Sequence, residues 1–383
     1  MINTFTLALS TLLGTIVGAG IFGLPYVIWK SGIAPGIFYL ILLGGVAMLL
    51  HLFVGEIALR TSEKHRLIGY ADLYLGNWAK IFVTISTIVG TTGALLAYII
   101  IGGGFLKILF SSFLPAQEEF FSLIFWAVLS LSILKGIQMI AKMEFFMSIV
   151  LFAVVFFIFL VAFPHVEASN FTVFDLKHIF LPYGVILFAF AGWSAIPEIA
   201  DFFKKGREKR NLDNLIVWTS LIVGVLYLLF AVFVVGVSGS NTSEDALSGL
   251  IPYVGNRIVF LGALFGFLAV GTSFLVLGNY LKNSLRYDYK LPLPLSAGIA
   301  IFAPILLYFL GFKEFITVVG LLGALIGVME GVIIVLMYQS AKNKGDRIPE
   351  YSLRIPRFVF FGLIALLVGG AIAEFITKFP FSQ

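Results

Sequence analysis

The sequence has no cysteine and few charged residues, and each shortage excludes a class of protein. Without cysteine the chain forms no disulfides and offers no thiol nucleophile or zinc–thiolate site. Charged residues make up 12% of the 383 positions and hydrophobic residues 60%, whereas roughly a quarter of the residues in a soluble domain are charged. With a mean hydropathy of +1.06, this composition is typical of a polytopic helical membrane protein.

Three further features are missing from the sequence. There is no phosphate-binding Gly-Lys-Ser/Thr loop, which argues against ATP-driven transport. The four histidines are not spaced as metal ligands, and only His51, within an apolar stretch, is a candidate for titration. The N-terminus has neither a basic region nor a small-residue cleavage site, so we expect no cleaved signal peptide.

Eleven apolar stretches are long enough to cross a bilayer as helices. They lie near residues 5–29, 33–59, 79–109, 119–138, 143–163, 178–203, 212–237, 256–284, 291–310, 314–339 and 356–377. Lys and Arg divide nineteen to six between alternate loops. Because the richer side is normally cytoplasmic, we expect a plasma-membrane protein with its N-terminus inside and its C-terminus outside.

Two of these stretches are interrupted by glycine and proline at matching positions. Gly20 precedes Pro25 by five residues, and Gly192 precedes Pro197 by five, 172 residues further along. Unwound backbone survives at membrane depth only inside protein or beside a water-filled cavity. Such a matched pair of interruptions is the best sequence indication of a secondary transporter's binding site.

The matched pair also predicts the domain organisation. Residues 1–163 would form a first repeat of five spans, residues 178–339 a second, and residues 340–383 the last span and terminus of one integral membrane domain. Because five is odd, the second copy enters the membrane from the opposite side. The predicted fold class is therefore an all-α polytopic membrane protein with a 5+5 inverted repeat, broken helices 1 and 6, and an added helix 11.

The ends of a broken helix suit a zwitterion, since one end exposes N–H groups and the other exposes carbonyls. We expect the amides around Gly18, Ala19 and Gly20 to bind a carboxylate. The carbonyls near Phe190 and Ala191 would help to hold an ammonium group. Small residues four positions apart in the first span equally suit close packing of two helices, which is the alternative.

Three stretches carry a resemblance to a known family. They are GTIVGAGIFGLP at 14–25, LLAYIIIGGGFLKIL at 95–109 and FAFAGWSAIPEI at 188–199. Over its whole length the chain is similar to the amino acid/polyamine/cation (APC) superfamily, and most similar to the tryptophan/tyrosine permease branch of the amino acid/auxin permeases. The resemblance implies a leucine-transporter-like (LeuT-type) fold and secondary uptake of an amino acid.

The same resemblance suggests roles for three aromatic residues. Tyr98 is similar to the family's substrate-contacting tyrosine, and Phe188 matches an occluding aromatic. Trp193, next to Gly192 in the second interruption, is a candidate for selecting the size of the substrate side chain. Ordinary packing is the alternative for each ring, because the chain contains 41 phenylalanines that mostly face lipid or the core.

The resemblance also implies a cation site between spans one and eight. In sodium-coupled relatives, positions matching Ala269, Thr272 and Ser273 supply a carbonyl and two hydroxyls. Carbonyls matching Gly14 and Val17 complete the site. The alternative is that both hydroxyls simply bond back to their own helix or join helices together.

The proton is the rival coupling ion. Some proton-driven relatives carry a lysine on span five, where this chain has Leu151, yet the aromatic-permease branch is generally proton-coupled. Carboxylates inside a membrane are functional candidates by default, and the chain has Glu56, Glu198 and Glu330. Glu56 can pair with Arg60 one turn later, and Glu198 suits a gate or an ion pair with the basic residues of the next loop. Glu330 is the deepest of the three and the first to test for protonation.

The sequence thus predicts a cation-coupled symporter for an amino acid, with a large hydrophobic or aromatic amino acid favoured. Its partners would be the substrate and the lipid bilayer, without nucleic acid or any cofactor beyond Na+ or H+. An intramembrane enzyme would need a nucleophile and a base in one cavity, and the spans offer no such set. A channel would need a continuous polar pore.

Overall fold

The structure is a computed structural model that describes residues 4–135, 150, 153–203, 211–287 and 289–378. The regular elements in these ranges are helices. They are α1 Thr4–Ile16, α2 Gly20–Ser31, α3 Ile33–Arg60, α4 Leu67–Leu75, α5 Asn77–Phe110, α6 Glu118–Lys135, α7 Ala153–His165, α8 Leu181–Ala189, α9 Ile196–Phe202, α10 Leu212–Ser238, α11 Ile251–Tyr287, α12 Leu293–Phe309, α13 Phe315–Leu321, α14 Val328–Lys344 and α15 Arg357–Lys378. A π-helical segment, Leu322–Gly327, joins α13 to α14.

Several helices are long and apolar enough to cross a membrane. Among the described residues seven helical runs meet this condition, and α1 with α2, bent by 51°, make an eighth. α7 and α12 are shorter apolar helices. The predicted all-helical membrane class is confirmed, while the count of eleven spans and the inverted repeat stay predictions. Much of predicted span five, including Leu151, lies outside the described residues.

α5 forms the centre of the helical packing. In its most apolar stretch 83% of the residues are buried, against 22% for α15 at the periphery. A Cβ atom placed on Gly103 would lie 2.6 Å from the Cα atom of Ser122. The glycines of α5 therefore let α6 approach backbone to backbone, which is the packing role expected of small residues in membrane helices.

Glu56 joins three parts of the fold. Its buried carboxylate accepts hydrogen bonds from Arg60 Nε at 2.8 Å, Tyr338 Oη at 3.0 Å, Ser352 Oγ at 2.9 Å and Leu353 N at 2.7 Å. These partners tie α3 to α14 and to the segment before α15. The pairing of Glu56 with Arg60 expected from their spacing is therefore present, within a larger structural network.

Glu198 lies at the surface and pairs with the segment between α3 and α4. Its Oε1 lies 3.1 Å from Arg66 Nε, and Asp201 Oδ1 lies 3.0 Å from Lys64 Nζ. Both cations belong to the segment between α3 and α4, because α9 ends beside that segment. The basic residues expected as partners, at 204–210, lie outside the described residues. As an exposed ion pair, Glu198 contributes little to stability.

Replacing Glu56 by alanine should destabilise the fold strongly. The change leaves the Arg60 guanidinium and several neighbouring donors without their acceptor, which costs about 3–5 kcal/mol when a buried ion pair is broken. Thermal unfolding of the purified protein in detergent measures the loss. Glu63→Ala, at a side chain that is 86% exposed, is the control and should change stability by less than about 0.5 kcal/mol. Equal unfolding temperatures for the two variants would contradict the structural role of Glu56.

Candidate functional site

The first interruption separates α1 from α2. α1 ends at Ile16, and the Gly18 amide donates to the Ile16 carbonyl at 3.0 Å. In a regular helix the Gly18 amide would bond to the Gly14 carbonyl, so this bond is lost at the interruption. Helical winding resumes at Gly20, and in this first turn the Phe22 amide donates to the Ala19 carbonyl at 3.1 Å. The chain loses its regular winding where the sequence predicted.

The second interruption separates α8 from α9. α8 ends at Ala189, and Gly192 has a non-helical backbone with φ −163° and ψ 1°. A short 3₁₀ turn, Trp193–Ala195, then leads into α9 at Ile196. The amide of Ala191 still donates to the carbonyl of Phe188 at 3.1 Å, so the unwound part is confined to a few residues around Gly192.

The two interruptions lie side by side. A Cβ atom on Gly20 would lie 2.6 Å from Ala189 Cα, and one on Gly192 would lie 2.5 Å from Ile16 Cγ1. Only glycine allows the chains to approach this closely. The buried hydroxyl of Tyr227, on α10, lies 3.0 Å from the Ile16 carbonyl and 2.9 Å from the Ala189 carbonyl. One side chain thus contacts the last carbonyl of α1 and the last carbonyl of α8.

A cavity of about 300 Å³ lies against both interruptions. Most of the predicted site residues line it: Gly14, Val17, Gly18, Ala19, Gly20, Tyr98, Phe188, Ala191, Gly192, Trp193, Ala269, Thr272, Ser273 and Glu330. Phe190 is not part of the lining, because its ring packs 5.1 Å from the Tyr227 ring and beside Gly44. Glu56 and Glu198 are also outside the lining.

Tyr98 points across the cavity at the first interruption. A Cβ atom on Gly18 would lie 3.1 Å from Tyr98 Oη, so the hydroxyl lies over the unwound backbone. The same hydroxyl pairs with the Ser273 side chain. Tyr98 therefore connects α5, the first interruption and α11.

The two hydroxyls expected at a cation site are engaged within their own helix. Thr272 Oγ1 and Ser273 Oγ donate to the Ala269 carbonyl at 2.9 and 3.0 Å. This is the local bonding that the alternative interpretation described. The three residues nevertheless face the same cavity as Gly14 and Val17, and a set of neutral oxygens is the kind that a hard cation such as Na+ accepts.

Glu330 is the one acidic side chain among the cavity-lining residues of the described chain, and this lining has no lysine, arginine or histidine. Glu330 Oε2 accepts a hydrogen bond from Trp193 Nε1 at 2.6 Å, and Glu330 Oε1 lies 3.0 Å from Ser86 Oγ. It follows the π-helical segment, a local irregularity that is frequent at functional sites. Glu330 therefore links α14 to both the second interruption and α5.

Comparison with known proteins identifies the family. The family model described as transmembrane amino acid transporter protein matches residues 2–375. The chain belongs to the transmembrane amino acid transporter family. This transporter is thus a multi-pass membrane protein and not an enzyme.

Two solved structures share the fold of this transporter. The crystal structure of MhsT in complex with L-phenylalanine superimposes with a TM-score of 0.61 at 16% identity, covering 98% of each chain. Mhp1, a nucleobase-cation-symport-1 family transporter in a closed conformation with bromovinylhydantoin bound, gives a TM-score of 0.66 at 14% identity. This superposition covers all of the present chain and 94% of the Mhp1 chain. No curated protein sequence matches the chain significantly.

Some residues of the transporter's site were not expected from the sequence. They are Tyr227, Ser86 and the small or apolar wall residues Gly90, Thr91, Ala94, Leu322, Gly323, Ile326 and Gly327. A signal existed for Tyr227, because a lone tyrosine within an apolar span needs a hydrogen-bond partner for its hydroxyl when buried. The wall residues carry no such signal.

Tyr227→Phe should weaken both the fold and substrate binding. The change keeps the ring and removes the one hydroxyl proton that the Ile16 and Ala189 carbonyls share. The Ile16 carbonyl keeps the Gly18 amide as a donor, whereas the buried Ala189 carbonyl loses the Tyr227 donor, which costs about 1–3 kcal/mol. If the interruptions then shift apart, substrate affinity should fall about tenfold for each 1.4 kcal/mol lost. Thermal unfolding and amino-acid binding measure the two effects. Tyr253→Phe, which removes a surface hydroxyl that accepts from Asn241, is the control, and equal behaviour of the two variants would refute the role of Tyr227.

Proposed function

We propose that this transporter carries an amino acid across the plasma membrane by secondary active transport, with the substrate's charged groups held by the two helix interruptions. The observation that carries the proposal is that α1–α2 and α8–α9 lose their winding beside the same cavity. The amides of Ala19 and Gly20 would bind the carboxylate, at the N-terminal end of α2 where the helix dipole is positive. The Gly18 amide would join them by exchanging the Ile16 carbonyl for the substrate. The carbonyl of Ala191, a residue that lines the cavity just after α8, would hold the ammonium group, and the neighbouring carbonyl of Phe190 would join it when the substrate binds.

The walls of the cavity favour a large hydrophobic or aromatic side chain. Gly90, Ala94 and Gly323 add little side-chain volume to the lining, and Phe188 adds an aromatic face. The described lining has no lysine or arginine to attract an acidic side chain. The structural likeness to MhsT bound to L-phenylalanine supports this substrate class, as does the resemblance to aromatic amino acid permeases.

The proposed architecture has eleven spans in two inverted repeats, at residues 1–163 and 178–339, with the last span in 340–383. The N-terminus would be cytoplasmic and the C-terminus extracytoplasmic. The cavity lining runs along α5 from Tyr98 to Ser86, towards the N-terminal end of α5, which lies next to the basic residues between α3 and α5. On the opposite side of the interruptions the rings of Phe22 and Phe105 meet edge to face at 4.8 Å. This arrangement corresponds to an inward-facing state of an alternating-access cycle.

A cation gradient would supply the driving force, because two ligands that stabilise the same state increase each other's affinity. Sodium would bind the carbonyls of Gly14, Val17 and Ala269 together with the hydroxyls of Thr272 and Ser273. Coupling to protons, through Glu330, is the second candidate, and it is favoured by the position of that carboxylate in the cavity.

Uptake by proteoliposomes tests the proposal. A labelled amino-acid mixture should enter with saturable kinetics when a sodium or pH gradient is imposed, whereas a channel would not saturate and an enzyme would accumulate nothing. If sodium drives uptake, Thr272→Ala should abolish the sodium response because one oxygen ligand is lost. Thr377→Ala removes a hydroxyl bonded back to Ala373 on the peripheral helix α15 and should leave uptake within about twofold of wild type. A sodium response that persists in Thr272→Ala would contradict the proposed cation site.

Trp193→Phe tests whether this ring selects the substrate. A smaller ring enlarges the cavity, and the ratio of kcat/KM for two substrates of different size should change by about tenfold, the scale of a methylene-sized contact. The maximal rate for the best substrate should change less. Competition between amino acids for uptake measures the ratio. An unchanged ranking of substrates would rule out Trp193 as the selecting residue.

A further inference from the structure

The described residues around the Glu330 carboxyl group include no cationic partner that would balance a negative charge. Glu330 takes part in none of the ion pairs found in the described ranges. Its two contacts come from the neutral side chains of Trp193 and Ser86. An ionised carboxylate at this depth is costly without a cationic partner, so the cavity favours a neutral acid there.

The hydrogen bonds around Ser86 lead to the same conclusion. Ser86 has one hydroxyl proton, and its Oγ lies 2.9 Å from the Val83 carbonyl and 3.0 Å from Glu330 Oε1. If Glu330 is protonated, it donates to Ser86 Oγ and leaves Ser86 free to donate to Val83. If Glu330 is ionised, both acceptors compete for one proton. With the neutral acid, the Ser86 hydroxyl can therefore bond to Val83 and to Glu330 at the same time.

We propose that Glu330 is a proton-binding site of this transporter, and that its proton fastens α5 to the second helix interruption. The neutral acid bonds to Ser86 on α5 and to Trp193 at the interruption simultaneously. Loss of the proton removes the donor that reaches Ser86, and the charge left behind attracts water into the cavity. This inference deepens the proposed function and rests on it, since the amino acid would bind at the interruption that Trp193 occupies.

Other titratable groups lie on the elements packed around Glu330 and define the controls. They include His51, Glu56 and Arg60 on α3, Tyr70, Asp72 and Tyr74 on α4, Lys80 and Tyr98 on α5, Tyr280 on α11 and Glu374 on α15. His51 is the nearest rival, because its ring lies 6.1 Å from the Trp193 ring and neither buried ring nitrogen has a partner among the described residues. Glu374 is a buried carboxylate outside the cavity lining that accepts a bond from Gly184 N.

Transport by Glu330→Gln, with Glu374→Gln as the matched control, gives the first test. The glutamine imitates the neutral acid, since it can accept from Trp193 and donate to Ser86. In sodium-free proteoliposomes an inward gradient of one pH unit should sustain about tenfold accumulation by the wild type and by Glu374→Gln. Glu330→Gln should exchange internal for external amino acid at a similar rate and accumulate none. Proton-driven accumulation by Glu330→Gln, or its loss in His51→Gln instead, would overturn the proposal.

Fluorescence of Trp193 tests the proton site without transport. In a variant whose other tryptophans, at 29, 78, 126 and 218, are phenylalanine, the emission reports on Trp193 alone. Emission should change with pH in a single transition that Glu330→Gln abolishes and His51→Gln retains. A flat titration, or one that persists in Glu330→Gln, would overturn the proposal. If the transition is present but the wild type transports no amino acid under either gradient, the proposed function fails and the proton site stands.

Discussion

The structure depends on how unwound backbone is satisfied within a membrane. Each main-chain N–H or C=O left without a partner in hydrocarbon costs several kcal/mol, so two interrupted helices can exist only if protein surrounds the free groups. Tyr227 meets part of this requirement by placing one hydroxyl between the last carbonyls of α1 and α8. Glycine at positions 20 and 192 meets another part, because it removes the side chains that would hold the two chains apart. The unwound residues Val17, Gly18, Ala19, Ala191 and Gly192 line the cavity.

A cavity bounded by main-chain dipoles suits a small zwitterion better than it suits an ion alone. The dipoles at the ends of α2 and α8 have opposite signs, and they match the opposite charges of an amino acid. Many of the side chains around them are small or apolar, and Glu330 is the one acidic side chain in the described lining. Affinity and selectivity therefore belong to different groups, since the backbone would bind what all amino acids share and the walls would distinguish their side chains. Glu330 adds a site where a proton can influence the same interruption.

The sequence predicted the interruptions, because glycine and proline act locally and their repetition 172 residues apart is visible in the chain. Most of the predicted site residues also line the cavity. The sequence did not predict partners that only the folded chain brings together. Along the sequence, Tyr227 is 211 residues from Ile16, whose carbonyl it contacts, and Ser86 is 244 residues from Glu330. The ring of Phe190 turns towards Gly44 and away from the cavity because tertiary packing decides its direction. The surface partner of Glu198 likewise depends on where α9 ends, which composition does not reveal.

An experimental structure with a transported amino acid bound tests the central claim most directly. We predict that its carboxylate oxygens lie about 3 Å from the amide nitrogens of residues 18–20, and its ammonium group at a similar distance from the carbonyls of residues 190–191. Both helices should remain interrupted when the substrate is bound. An amino acid held mainly by side chains elsewhere, or continuous helices through Gly20 and Gly192, would contradict the account.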